Sequence, residues 1–331
     1  MLNKIAPDAV KEATNANFIP SSQVKRMTTQ AVHRATHHDR RPGIGDANML
    51  TNSQRHWGVN QWTAWLKDKD IPILPGSQDA LENLSGEEAG QVSPRELTTV
   101  LMADPLFALR LLRLAEQIRS HHLDHDTTTM LATILQIGVR RLTETAMAAE
   151  LADISRPGFV ECVTRATLAT RIAYQWAAHH ADVSPDEVAF AALLSETGEL
   201  LLWAFVPELP EAALEALHLG QATRNAEAQE MTAGFSFRTL TLTLTEAWHL
   251  PSLITQLIKG SDTLRANIAR IAIDTARHLH ADHRNPAIPD DIRAIHEILP
   301  GVPHGLLLAP LHLDEAFQES VIACLAKADA V

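Results

Sequence analysis

Aromatic residues make up only 5% of this 331-residue chain, and tyrosine occurs once. Runs that alternate β-branched or aromatic side chains with polar ones are nearly absent, which argues against a sheet-based fold. Cysteine is scarce too: Cys162 and Cys324 stand alone, without the spacing of a zinc site or a disulfide framework, and suit a reducing compartment. Met1 to Phe18 carries scattered charges and no apolar run of useful length, so no secretion signal is expected. The most apolar stretches, such as Leu200-Leu-Leu-Trp-Ala-Phe-Val206, fall far short of the roughly 20 residues that span a bilayer. Positive charge is also in deficit, 28 Lys and Arg against 40 Asp and Glu for a net −12. That balance disfavours general nucleic-acid binding, which neutralises phosphates with Lys and Arg. The expectation is a cytoplasmic protein with neither membrane nor nucleic acid among its partners.

What is present favours helices. Apolar residues reach 46%, with alanine and leucine prominent, and these have the best intrinsic helix propensities. The length allows one large domain or two ordinary ones. Ser93-Pro-Arg-Glu96 offers a serine N-cap, a proline in the first turn and a glutamate placed to return the capping bond, and Ser184-Pro-Asp-Glu187 repeats the device. Apolar groups follow at helical spacing: Leu97, Val100, Leu101, Phe107, Leu109 and Leu112, then Val188, Ala192 and Leu193. Trp62, Trp65 and Leu66 form another apolar face. Pro207 and Pro210 interrupt the next run, and Pro286, Pro289 and Pro300 bracket a short helix from Asp291 to Leu299. Ala269, Ile273, Ala276 and Leu279 recur at helical spacing near the C-terminus. No repeat of fixed period is visible.

The segment Ala192-Leu-Leu-Ser-Glu-Thr-Gly-Glu-Leu-Leu201 resembles the HD phosphohydrolase motif, leucine-leucine-histidine-aspartate-isoleucine-glycine-lysine-leucine, with the two metal-binding residues replaced. The flanks are similar to one branch of that superfamily, the HD-related output domain or HDOD family. The similarity runs through Ile71-Pro-Ile-Leu-Pro75, Leu97-Thr-Thr-Val-Leu-Met-Ala-Asp-Pro105, Ile134-Leu-Gln-Ile-Gly138 and Ala247-Trp-His-Leu-Pro251. The last stands where the family has tryptophan-glycine-leucine-proline. Ala115-Glu-Gln117 departs from the family's alanine-asparagine-serine. The resemblance implies an all-α, multi-helix HD-like bundle in two lobes. Its expected parts are a polar N-terminal segment and linker over 1–56, an HDOD domain over 57–265 with lobes 71–151 and 159–264, and a C-terminal helical extension over 266–331.

The resemblance also places the metal ligands. Ser195 and Glu196 stand for the His-Asp pair, Cys162 for an earlier histidine and Phe237 for a later one. Gly260 and Ser261 stand near a histidine pair, and Asp274 near the family's last aspartate. Hydroxyl, phenyl and glycine cannot supply the three or four ligands that zinc, iron or manganese needs. No metal or other cofactor is expected. The implied function is a non-catalytic signalling domain that binds a signalling protein or a small regulatory ligand. The alternative is a metal-dependent phosphohydrolase using substitute ligands.

Other clusters have plainer readings. His33 and His37, near His38 and Asp39, read as a solvated tail, and His121, His122, Asp124, His125 and Asp126 as a surface turn, although either could trap a metal. His278, His280 and His283 share no helical face and read as a polar helix end. Arg110, Arg113, Arg140 and Arg141 read as solvated arginines, Glu196 with Glu199 as a partly solvated face, and Trp203 with Phe205 as core. Ser195 lacks the elbow and the histidine of a serine nucleophile.

Overall fold

A computed structural model of the chain describes residues 50–87, 93–119 and 127–328. The histidine-rich stretches at 33–38 and 121–125, and most of the polar N-terminal segment, lie outside the described residues. The described residues are mostly helical, with turns between the helices and one isolated parallel bridge between Ile73 and Leu151. Ile73 N–H donates to the Glu150 carbonyl at 2.9 Å and Ala152 N–H to the Ile73 carbonyl at 2.8 Å, which ties the proline-bracketed segment to the end of the first lobe.

Helix α1 (Val59–Leu66) is followed by α2 (Pro75–Glu87), α3 (Pro94–Leu101), α4 (Pro105–Ile118), α5 (Met130–Ile137) and α6 (Val139–Ala148). Next come α7 (Pro157–Ala177), α8 (Pro185–Leu194), α9 (Thr197–Phe205), α10 (Glu208–His218), α11 (Asn225–Ala233), α12 (Phe237–Ala247) and α13 (Ser252–Lys259). The C-terminal part holds α14 (Leu264–Ala281), α15 (Ile288–Ile298), α16 (His304–Leu308) and α17 (Glu315–Ala328). Two apolar cores organise them. One runs from Trp62 to Ala266 and joins both lobes. The other gathers Trp176, Ile268, Ile292, Leu307 and Leu325 from the second half of α7 and the C-terminal helices. The 21-residue α7 serves both, with Phe159 and Val163 in the first core and Ala169 to Ala177 in the second. Trp176 Nε1–H donates to the Leu307 carbonyl at 2.8 Å, so the polar edge of the indole is satisfied inside the second core.

The Ser93 cap forms in both directions, Glu96 N–H to Ser93 Oγ at 3.2 Å and Ser93 N–H to Glu96 Oε2 at 2.9 Å. The Ser184 box forms only in its first half, because the Glu187 carboxylate is drawn away to Arg265 at 3.0 Å and Thr128 at 3.0 Å. Helix α15 starts at Ile288, before the expected Asp291, since Pro289 fits its first turn. Pro207 and Pro210 likewise open α10 instead of only ending α9. Pro185–Phe205, taken as one stretch of 21 residues with mean hydropathy 1.5, is long and apolar enough to cross a bilayer, longer than the seven residues read from sequence. In the protein 89% of its most apolar window is buried, and the chain turns between α8 and α9 at Ser195 and Glu196.

Asp104 caps α4 from a fully buried position. Its Oδ1 accepts from Phe107 N–H at 2.9 Å, and its Oδ2 accepts from Leu74 N–H at 2.7 Å and Ser77 Oγ–H at 2.7 Å. Burial pushes this carboxyl up from the usual range, and the bonds from Phe107, Ser77 and Leu74 oppose it. Asp104→Ala should cost about 3 kcal/mol in urea denaturation, a lost cap plus two buried hydrogen bonds, and Asp104→Asn should recover only the cap. An asparagine variant as stable as wild type would show that the Leu74 and Ser77 bonds carry no weight. His249, where the family places glycine, sits at φ +52 just after α12. His249→Gly should therefore stabilise the protein by about 0.5–1 kcal/mol, read as a higher Tm. A lower Tm would mean that the imidazole makes a compensating contact.

Candidate functional site

The turn between α8 and α9 carries Glu196 at φ −92 and ψ 11, a sparsely populated backbone region that often holds functional side chains. Its carboxylate points inward and is 6% exposed. Arg165 of α7 donates through Nη2 to Glu196 Oε2 at 3.2 Å and to Glu199 Oε1 at 2.9 Å. Arg277 of α14 donates to Glu196 Oε1 through Nε at 3.1 Å and Nη2 at 2.8 Å. Both oxygens of Glu196 are thus taken by guanidinium groups. Glu199 also accepts from Trp203 Nε1–H at 3.4 Å. Asp274 lies 3.5 Å from Arg277 and 3.8 Å from Arg270 at the outer edge.

The backbone holds this corner from its other side. Gly198 N–H donates to Thr241 Oγ1 at 2.9 Å, and a Cβ on Gly198 would lie 2.4 Å from the Phe237 carbonyl oxygen. Only glycine permits α9 to approach the start of α12 this closely.

Electrostatics follow from the pairing. Burial pushes the Glu196 carboxyl up, but Arg277 and then Arg165 outweigh it and bring it from an ordinary 4.5 down to about 2. Burial tends to lower the Arg165 value, yet Glu199 and Glu196 hold it well above the ordinary arginine range. Cys162 is buried beside them, and burial, followed by the charge of Glu199, pushes its thiol well up.

Of the positions that the resemblance assigns to metal, the structure brings Cys162, Glu196 and Asp274 into or beside this cluster. Ser195 is buried, but its Oγ–H donates to the Ala192 carbonyl at 2.8 Å and so closes α8. Phe237 is buried at the start of α12. Gly260 ends α13 in the left-handed region at φ +73. Ser261 lines a cavity of about 280 Å³ with Asp182, Leu257 and Arg265, apart from the cluster. Glu196 and Glu199 are not the partly solvated face read from sequence, because both are largely buried and both are paired with Arg165. Of the four arginines read as solvated, Arg140 and Arg141 are exposed, whereas Arg110 pairs with Asp70 at 2.5 Å and Arg113 binds the Lys67 carbonyl at 2.8 Å. Sequence reasoning missed Arg165 and Arg277. Their signal was a basic residue one helical turn after a former ligand position, Cys162 and Asp274 respectively.

A divalent metal does not fit this arrangement. Ligand atoms of Cys162, Glu196 and Glu199 do lie within 4.8 Å of one another. Both carboxylates, however, are already hydrogen-bonded to Arg165, and the thiol, pushed up by burial, resists becoming the thiolate that binds metal.

Because the Glu196 carboxyl is depressed on folding, its contribution is fully present above about pH 4.5 and is lost as pH falls toward 2. Glu196→Gln should cost about 3 kcal/mol at pH 7 and much less near pH 2.5, compared by urea denaturation. An equal cost at both pH values would sink the assignment.

The HDOD domain family model matches residues 71–263. No curated protein matches the chain. Among solved structures, the MmoQ response regulator from Methylococcus capsulatus str. Bath is 20% identical, with a TM-score of 0.57 over 74% of this chain and 99% of that one. A virulence factor (cj0248) from Campylobacter jejuni subsp. jejuni is 17% identical, with a TM-score of 0.60 over 79% of this chain and 98% of that one. At these identities the likeness is one of fold, and both chains are covered almost whole. The family match spans more than half of the sequence, from the proline-bracketed segment through Asp104 and the Glu196 turn to α13, and on that basis this chain belongs to the HDOD family.

Proposed function

We propose that this chain is a non-catalytic regulatory domain of signal transduction, which binds a signalling protein or a small regulatory ligand and hydrolyses nothing. The observation that carries the reading is the buried ionic cluster. Arg165 and Arg277 consume the carboxylate of Glu196, the residue that stands where HD phosphohydrolases hold metal. Hydrolysis by that route needs a metal-bound water of lowered pKa, and the metal needs three or four ligands. The positions offered here are Cys162, Ser195, Glu196 and Phe237, of which Ser195 and Phe237 serve helix closure and core packing. A protein named as a response regulator shares the fold, in keeping with a signalling role. The net charge of −12 favours a protein or small-molecule partner over nucleic acid.

One observation favours a second reading, a phosphohydrolase with substitute ligands: the compact donor set of Cys162, Glu196 and Glu199. Elemental analysis of untagged protein separates the two, before and after loading with manganese, iron or zinc and dialysis. Hydrolysis of bis(p-nitrophenyl) phosphate and of nucleotides is measured in parallel. The expected result is metal far below one ion per chain and no turnover above the blank. Tightly held metal, about one or two ions per chain, with turnover that a chelator abolishes, would establish the phosphohydrolase.

A further inference from the structure

We propose that the Arg165 guanidinium is the resident cation of this pocket, seated among Cys162, Glu196 and Glu199 where a divalent ion would otherwise sit. The inference rests on the non-catalytic reading and deepens it. The chain would carry its counter-ion covalently, on α7, and so hold its helices in place without any metal supply.

Three observations support it. The donor atoms of Cys162, Glu196 and Glu199 lie within 4.8 Å of one another, a separation that a single cation can bridge. The Arg165 guanidinium lies 3.2 Å from Glu196 and 2.9 Å from Glu199, bridging both carboxylates while only 15% exposed. Arg277 plays a different part, since it is 37% exposed, meets only Glu196 of this set and leans outward to Asp274. Removing Arg165 alone would therefore leave Glu199 without its cation and Glu196 with only one guanidinium. Carboxylates left in the interior must recruit a proton or another cation. One sulfur and two oxygen donors suit zinc or cobalt.

Arg165→Met keeps the aliphatic stem and deletes the charge, and Arg165→Ala also opens space. Each is titrated with Co²⁺ and followed by thiolate-to-cobalt absorption in the near ultraviolet. Tm is measured with and without Zn²⁺, and near-UV circular dichroism reports folding. Wild type should show no thiolate band and no Zn²⁺ effect. The Met variant should melt lower, gain the band, bind Co²⁺ at least about tenfold more tightly than wild type and regain Tm with Zn²⁺. The band should vanish in the double variant Arg165→Met, Cys162→Ser. Should the variants not fold alone, refolding with Zn²⁺ is expected to restore the near-UV signal. Failure to fold even then, or folded variants that take up no more Co²⁺ than wild type, overturns this proposal and leaves the non-catalytic reading standing. A thiolate band in wild type that Cys162→Ser removes also overturns this proposal, and together with chelator-sensitive turnover it overturns the non-catalytic reading as well.

Discussion

One guanidinium joins helices that are far apart in sequence. Arg165 of α7 holds Glu196, at the turn before α9, and Glu199 within α9, while Arg277 of α14 holds Glu196 from the other side. In a low-dielectric interior two cations and two anions are tolerable only as a matched set, because any member left alone keeps its full desolvation cost. The relative placement of α7, α9 and α14 is thereby fixed by charge as well as by apolar packing. Arg165 lies on α7 between Val163 of the first core and Ala169 of the second, so the ionic cluster sits where α7 passes from one core to the other. One of its members, Arg277, comes from beyond the matched family span of 71–263. Helix α14 is thus part of the same electrostatic unit.

The two buried carboxylates show how the partner decides the outcome. Asp104 is surrounded by neutral donors, Phe107 N–H, Leu74 N–H and Ser77 Oγ–H, and burial still prevails, so its carboxyl is pushed up. Glu196 is equally desolvated but faces two guanidinium groups, and its carboxyl falls to about 2. Neutral hydrogen bonds orient a carboxylate and close a helix end. Here it is the two guanidinium groups that turn the balance toward the ionised form against burial. Asp104 accordingly acts as a joint between the 71–75 segment and α4, whereas Glu196 acts as an anion whose charge the interior depends on.

Local chemistry made much of this fold legible. The Ser93 cap and the Trp62 and Trp65 face follow from short-range rules about caps and periodicity, while the Asp104-Pro105 helix start and Gly138, at φ +80 between α5 and α6, come with the family pattern. The failures at Glu187 and Glu196 share one cause, pairing across long sequence separation. Glu187 leaves its capping box for Arg265, 78 residues away, and Glu196 is claimed by Arg277, 81 residues away. Helical periodicity carries no record of such partners. Glu196 and Glu199 therefore resemble a solvated acidic face until Arg165 is placed between them. The family pattern points to Cys162 and Glu196, which the structure brings together, but it describes only ligands, because a motif of ligands has no term for an added cation.

That added cation changes what the ligand substitutions mean. A site that had merely lost its histidines would be an open polar cavity, and returning histidine and aspartate at Ser195 and Glu196 would go far toward refilling it. Here Arg165 and Arg277 would still project at the new side chains, and a divalent ion placed beside them would meet like charge in a medium that screens poorly. The Ser195 hydroxyl, turned to the Ala192 carbonyl, closes α8, so even that position would have to give up a structural bond to become a ligand. On the proposed reading the arrangement opposes metal twice, through the side chains at the ligand positions and through the positive charge of Arg165 and Arg277. The second barrier also stabilises the fold, since both guanidinium groups that repel the ion are the partners that keep Glu196 satisfied.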